Sequence, residues 1–287
     1  MAARIGVVIV THESSAVVGE LLDSLAQHEP AAPVVVVDDA SPSGPPDVGD
    51  HQLVVAESSR GYAASCNVGV GRLRAADVSA VALLNPDVRL RGSSLTELGR
   101  MFSARRRVGI ATGPLEGPDG ARLPSAWGPT SIRRALTFAA GFEPIRLRSA
   151  AGTLLPARST IAEASRVVDD MRVEGHVIGG TMIVRLSCWD ELGGFDEAFH
   201  LYWEDADLCY RAREVGWEVR ILPCTPFLHA DGATAAPSEG DIPEDRWEWF
   251  VDGASRFGSK HLVPGQARQL EAALRLGRRL HHLRRRG

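Results

Sequence analysis

An unbroken apolar run, Ile5-Gly6-Val7-Val8-Ile9-Val10, opens the chain, and its β-branched residues suit a strand buried on both faces of a parallel sheet. Val17, Leu21, Leu22 and Leu25 then recur at helical spacing over residues 16–28. Val34–Val37 reads as a second buried strand, stopped by Asp38-Asp39. This strand–helix–strand order predicts a βαβ unit. Leu53–Ala56 gives a third strand, residues 61–76 a helix of small residues, and Val81–Leu84 a fourth strand ended by Asn85-Pro86-Asp87. Polar clusters therefore follow three apolar strands: Thr11-His12-Glu13, Asp38-Asp39 and Asn85–Asp87. In an open parallel sheet the carboxyl ends of the strands border the ligand crevice. Residues 1–112 are accordingly predicted to form a nucleotide-binding half.

Regularity falls away over residues 113–175, where Gly, Pro and Arg are frequent and Pro118-Asp119-Gly120 marks a turn. A long excursion is expected there. Val177–Val184 is predicted as a strand containing Gly179-Gly180, and Val219–Leu222 as another. Residues 205–215 between them read as a helix with an apolar stripe of Ala206, Leu208, Cys209, Ala212 and Val215. Residues 113–260 make a second half, for acceptor binding and catalysis, and residues 261–287 a basic helical tail.

Composition narrows the class only modestly. The 287 residues are 44% hydrophobic and 24% charged, as in ordinary globular proteins, which excludes disorder as the main state. The apolar runs are too short to span a membrane, and the first has no cleavage region after it, so a cytoplasmic protein is expected. Cys66, Cys188, Cys209 and Cys224 form no C-x-x-C pair and read as reduced thiols. Charge adds one feature: residues 261–287 carry seven arginines against a single acid, Glu271, in a chain whose net charge is −4. A basic terminus on an acidic body points to an anionic surface. Arg268, Arg275, Arg279 and Arg286 fall on one helical face and Leu276, Leu280 and Leu283 on another. Two readings fit: a helix lying on the inner face of the cell membrane, or a terminal helix packed on the domain, with Gly277 weakening it. Nucleic acid is not expected as a partner.

Each chemical candidate has a plain structural counterpart. Asp87 can bind a divalent cation, since Mg2+ is commonly held by one or two carboxylates plus substrate phosphates; Asn85-Pro86-Asp87 also suits a simple turn. Asp39 can accept hydrogen bonds from a base or ribose, or merely close a strand-to-loop turn. Glu204, Asp205 and Asp207 begin a helix, where the dipole favours acids. Three acids beside Tyr202 and Trp203 exceed what capping needs, and aromatic walls suit sugars and raise a carboxylate toward the range of a useful base. His229 is either a metal-binding imidazole or a hydrogen-bonded structural residue. Gly61 and Asn67 open a helix whose N-terminus favours phosphate. No G-x-G-x-x-G follows the first strand, which argues against a dinucleotide oxidoreductase.

In their order these pieces resemble the family 2 glycosyltransferases. They are Val10-Thr11-His12-Glu13, Asp38-Asp39-Ala40-Ser41, Gly61-Tyr62 with Asn67-x-Gly69, and Leu84-Asn85-Pro86-Asp87. Gly113-Pro114-Leu115 with Asp119-Gly120, Gly179-Gly180-x-Met182, Gly193-Gly194-Phe195-Asp196-Glu197, Tyr202–Arg211 and His229-x-x-Gly232-x-Thr234 complete the series over residues 4–235. Asn-Pro-Asp in place of Asp-x-Asp makes the rhamnosyltransferase-like branch the best match. The resemblance implies an α/β protein of GT-A type, with a Rossmann-like, mostly parallel central sheet flanked by helices and a C-terminal helical tail. It implies an inverting, metal-dependent transfer, with L-rhamnose from dTDP-rhamnose as the expected donor sugar and a lipid-linked, cell-wall or polysaccharide glycan as acceptor. A UDP-hexose or UDP-galactofuranose donor is the alternative, and a catalytically silent nucleotide-sugar-binding module a further one. Carried over by position, Thr11, Glu13, Asp39, Gly61, Asn67, Asn85 and Asp87 would bind the nucleotide-sugar. Asp87 and His229 would hold Mg2+ or Mn2+. Asp205 would be the general base with Glu204 beside it, and Trp203 and Asp207 would meet the acceptor. His12-Glu13 stands where Tyr-Asn is common, Ser59 where an Asn usually precedes Gly-Tyr, and Ala40 where Gly or Asn is frequent.

Overall fold

Strand β1 (Ile5–Thr11) is buried along its whole length, as its composition requires. A computed structural model describes residues 3–128, 170–229 and 246–285. Helix α1 (Ser15–His28) buries Val18, Leu21, Leu22 and Leu25. Strand β2 (Val34–Asp38), β3 (Gln52–Val55), α2 (Tyr62–Leu73) and β4 (Ala80–Leu84) follow as expected. Next come β5 (Val88–Leu90), α3 (Ser94–Ala104), β6 (Val108–Thr112), β7 (Leu115–Glu116), β8 (Arg122–Leu123) and β9 (Ala126–Trp127). Beyond the undescribed stretch lie β10 (Met171–Arg172), β11 (His176–Val177), β12 (Thr181–Arg185), α4 (Leu186–Leu192), α5 (Glu204–Glu214), β13 (Glu218–Ile221) and β14 (Phe227–His229). Helices α6 (Trp247–His261) and α7 (Pro264–Arg285) end the described chain.

Among the described residues the main sheet has eight strands in the order β10-β13-β6-β12-β4-β1-β2-β3. Strand β1 is parallel to β2 and β4, β2 to β3, and β6 to β13. Strand β12 runs antiparallel between β4 and β6, with Thr181 opposite Leu84. One sheet therefore passes through both predicted halves. Alternate residues feed two cores. Val7, Ile9, Val36 and Ala82 face α1 and α3, while Val8, Val10, Val35 and Leu83 face α2, α4 and α5. A second sheet, β5-β14-β7-β8, pairs β14 antiparallel to β5 and sets His229 opposite Val88.

Three expectations change. Val177–Val184 is not one strand: β11 stops at Val177, and the Gly179-Gly180 turn precedes β12. Gly179 N–H leaves the ladder to donate to the Asp205 carboxylate at 3.1 Å. Val215 is outside the apolar stripe of α5, 52% exposed. On α7 the packed residues are Leu270, Ala273 and Leu274, against Ala254 of α6, whereas Leu276 is 52% exposed. The expected excursion is described only at its ends; residues 129–169, and Gly232 and Thr234 of the last motif, lie outside the described residues. Among the described residues no helix is long and apolar enough to cross a membrane. The four cysteines are free, and burial pushes Cys188 and Cys209 up to about 12, so neither is a ready nucleophile.

Candidate active site

The carboxyl ends of β1 and β2 are stitched together. Thr11 Oγ1 donates to Asp38 Oδ1 at 3.1 Å, and Asp38 accepts Ser41 N–H at 2.9 Å and Ser41 Oγ at 2.6 Å. Glu13, in the left-handed region at φ 54°, accepts Ser43 N–H and Oγ, both at 2.8 Å. These bonds hold its carboxyl below the usual range. Thr11 and Glu13 thus tie the end of β1 to the loop after β2.

Asp39, expected as a ligand contact, is bonded on both oxygens within the protein. Its Oδ1 accepts Arg60 N–H at 2.9 Å and Ser65 Oγ at 2.9 Å; its Oδ2 accepts Ser59 Oγ at 2.6 Å and Gly61 N–H at 3.1 Å. A carboxylate has about four acceptor sites, and all are taken within the protein. Burial alone would raise this carboxyl, but the donors outweigh it and leave the pKa lowered. Asp39 is the strut that fixes the start of α2. At the start of this helix Gly61 N–H donates to Asp39, and the next, Tyr62 N–H, donates to His200 O at 2.7 Å. Gly61 is required there, since φ is 87° and a Cβ would lie 2.3 Å from His200 O. Asn67 is likewise a bracket. Its amide exchanges two bonds with the Phe195 backbone, each 3.0 Å, and donates to Glu197.

At the end of β4, Asn85 N–H donates to Gly180 O at 2.9 Å, and Val88 N–H closes the turn on Asn85 O at 3.1 Å. The β5–β14 pairing brings His229 Nε2 to 3.4 Å from Asp87 Oδ2, with His229 5% and Asp87 1% exposed. Among the described residues no three His, Cys, Asp or Glu side chains gather into a cation cage. One carboxylate and one imidazole fit a different mode, in which substrate phosphates complete the shell of a hard divalent cation. Arg89, which sequence reasoning missed, braces this turn. Its Nη1 donates to Pro86 O at 3.1 Å and Val88 O at 2.9 Å, and its Nε to Glu20 at 2.8 Å.

Helix α5 begins on strained backbone: Tyr202 and Trp203 have φ of 70° and 74°. Such residues cost about 1–3 kcal/mol each and persist where the surroundings over-determine them. The three acids then diverge. Glu204, Asp207 and Arg211, three and four apart, share one face of the helix, and Asp205 begins another, with Leu208, Cys209 and Ala212, that packs on the sheet. Asp205 is half-buried; its Oδ2 accepts Gly179 N–H, and its Oδ1 accepts Ala206 N–H at 2.7 Å. Glu204 is 5% exposed. Burial first, then the Asp205 and Asp207 charges, push it up to about 8.

Asp207 and Trp203, expected at the acceptor, are both in contact with α6. Asp207 is fully buried and bonded by Arg211 Nε at 2.7 Å, His261 Nε2 at 2.7 Å and Lys260 Nζ at 2.8 Å. Trp203 packs on α6, its ring 5.5 Å from that of Phe250 and 5.3 Å from that of Phe257. Both side chains serve the contact with α6.

No protein-family model matches the chain. Over 222 residues it is 29% identical to the N-acetylglucosaminyl-diphospho-decaprenol L-rhamnosyltransferase of Mycobacterium tuberculosis, in strains CDC 1551 / Oshkosh and ATCC 25618 / H37Rv, covering 72% of this chain and 68% of the relative. Among solved structures it is similar to GalNAc-T7 with UDP, GalNAc and Mn2+, with a TM-score of 0.57 and 14% identity over 96% of this chain and 54% of that one. The mannosyltransferase PcManGT from Pyrobaculum calidifontis, with GDP-Man and Mn2+, gives 0.54 and 17% over 98% and 70%. S. aureus TarS gives 0.52 and 17% over 94% of this chain and 42% of its own length. At these identities the structural likeness speaks for the fold, and the chain spans less than half of TarS.

Proposed function

Because the chain is a glycosyltransferase of GT-A fold, similar to the rhamnosyltransferases of family 2, we propose that it transfers L-rhamnose from dTDP-rhamnose, with inversion, to a hydroxyl of a lipid-linked glycan. The transferred sugar and the acceptor class are those in the name of the mycobacterial relative, and the dTDP donor is what the sequence resemblance implies. One observation carries the catalytic assignment. The Gly179-Gly180 turn bonds Asn85 on one side and Asp205 on the other, which supports reading the Asp87–His229 pair and the half-buried Asp205 carboxylate as parts of one site.

In this reading Asp205 accepts the proton of the acceptor hydroxyl as its oxygen attacks the anomeric carbon opposite the departing diphosphate. A single base with no protein nucleophile implies inversion. Asp87 and His229 would hold Mg2+ or Mn2+, which would supply electrostatic stabilisation of charge on the leaving diphosphate. Arg89 keeps the Asp87 turn in place, and Thr11 and Glu13 shape the nucleotide end of the crevice. Glu204, buried beside the same Gly179 turn, supports Asp205.

The test is thermal stabilisation of the protein by dTDP, UDP, GDP and NAD, each with and without Mn2+. A ligand that binds the native state raises the melting temperature by mass action. A Mn2+-dependent rise with dTDP is expected. A rise with UDP alone replaces the donor, and a rise with NAD alone, or none, overturns the reading.

A further inference from the structure

Helix α6 grips the acidic helix α5 at two places, one on each side of Asp205. The first lies under the strained Tyr202-Trp203 pair. Gly253 approaches so closely that a Cβ there would be 2.9 Å from Tyr202 O and 2.9 Å from Trp203 Cδ1. Phe250 and Phe257, one turn to either side of Gly253, flank the Trp203 ring. The second grip is ionic. Lys260 and His261, at the end of α6, both reach Asp207, and Lys260 also bonds Asp196 at 2.8 Å. Arg211 joins the same cluster and donates to Leu192 O at 2.8 Å and Gly194 O at 2.9 Å. Asp207 is fully buried and His261 nearly so, so water competes little with these bonds.

We propose that α6 is a clamp that positions Asp205 for proton abstraction. Gly253 and the two phenylalanines hold Tyr202-Trp203 in the left-handed backbone from which α5 starts. His261 and Lys260, acting through Asp207, fix the rotation of α5 about its axis. The rotation decides how the Asp205 carboxylate meets the Gly179 turn, because Asp205 begins the face of α5, shared with Leu208, Cys209 and Ala212, that packs on the sheet, while Asp207 points to α6. Gly253, Lys260 and His261 are thus positioning residues, and this assignment rests on reading Asp205 as the base.

The experiment uses the full chain and measures dTDP release from dTDP-rhamnose, with an N-acetylglucosaminyl diphosphate lipid as acceptor. Gly253→Ala, Lys260→Met and His261→Ala are compared with His261→Gln, which keeps a donor to Asp207. A displacement on the order of 1 Å at a reacting group costs about 100-fold in rate. The three disruptive variants are expected to lose kcat by about 10-fold to 100-fold, with the KM for dTDP-rhamnose unchanged, and His261→Gln to recover most of it. Leu25→Ala, in the core on the other side of the sheet, is the control for stability alone and keeps its kcat at temperatures where it is folded. Lys260→Met changes a partly exposed side chain and keeps the test usable if Gly253→Ala does not fold. Folded clamp variants with wild-type kcat overturn the clamp alone. A wild type that releases no nucleotide from dTDP-rhamnose or from a UDP-hexose, or an Asp205→Asn variant that keeps the wild-type kcat, overturns the reading of Asp205, and the clamp with it.

Discussion

Glu204 and Asp205 are neighbours in the chain but occupy opposite environments. Glu204 Oε2 is sealed from solvent with no hydrogen-bond partner among the described residues, whereas both oxygens of Asp205 are held by backbone amides at the crevice. Burial raises Glu204 from 4.5 to about 8. Its contribution to stability is therefore fully present below the unfolded pKa and is lost as the pH rises to about 8, because the unfolded chain ionises first. The melting temperature should fall between pH 5 and pH 8. Glu204→Gln, which has no charge to gain, should remove a part of that fall on the order of a few kcal/mol. Melting curves of both proteins across this range check it; parallel curves would place the titration elsewhere.

Asp205→Asn should lower transfer by about 100-fold or more, the usual worth of a positioned base. It should leave the stabilisation by dTDP with Mn2+ unchanged, since Asp205 is bonded to Gly179 and Ala206 rather than to the Asp87 turn. Nucleotide melting shifts and product release measured on one preparation separate the two effects. Equal loss of both would count against a base.

The strands β1, β2 and β4 were legible because a parallel strand buried on both faces is written as a continuous apolar run. The acidic start of α5 was legible too, but not its phase. Which of Glu204, Asp205 and Asp207 faces the crevice depends on the left-handed backbone at Tyr202 and Trp203, and bulky aromatics give no local sign of that conformation. Asp39 looked like a ligand contact because a carboxylate at a strand end is a good one; only the folded chain shows Ser59, Arg60, Gly61 and Ser65 converging on it. Arg89 carried one usable signal, a charge two residues from Asp87 inside the short strand β5. Helix α6 carried a weaker one, with Trp247, Phe250, Ala254 and Phe257 at helical spacing.

If Asp39 is a strut, its loss is first a loss of stability. Asp39→Asn presents an amide to two of four donors, an unmet buried demand worth about 1–3 kcal/mol. Its lowered pKa means that this stability is present above the unfolded pKa near 3.8 and is lost as the pH falls through the folded one. The gap between wild type and variant should therefore be wide at pH 7 and close below the folded pKa, as read by urea denaturation at several pH values. A variant as stable as wild type at pH 7, but unable to bind dTDP, would restore the ligand reading.

The basic tail calls for a particular cut. Leu270, Ala273 and Leu274 pack on α6, so removing residues 266–287 would strip the apolar face of the clamp helix and confuse anchoring with stability. Removing residues 277–287 spares these contacts and takes five of the seven arginines. Attraction of a basic segment to anionic lipid is worth about 1 kcal/mol per charge near the surface. The shortened chain should bind vesicles containing phosphatidylserine at least about 10-fold more weakly in a sedimentation assay, with its melting temperature unchanged. Equal binding would leave the tail as a solvated helix end.

His229 and Asp87 meet only because β14 lies antiparallel to β5, and the pair has two different uses. As an ordinary buried contact, it would lose stability on substitution whether or not metal is present. As a cation site, it would lose mainly the stabilisation that Mn2+ adds with nucleotide, because protein donors and diphosphate oxygens share one shell. His229→Ala should therefore weaken Mn2+ affinity in the presence of dTDP by about 10-fold to 100-fold, on the scale of other metal-site losses. Asp87→Asn should weaken it at least as much, since it removes the anionic donor. Titrating Mn2+ at fixed dTDP while following the melting temperature reads this directly. An unchanged Mn2+ midpoint in both variants would make the pair a structural contact and send the search for the cation site elsewhere in the crevice.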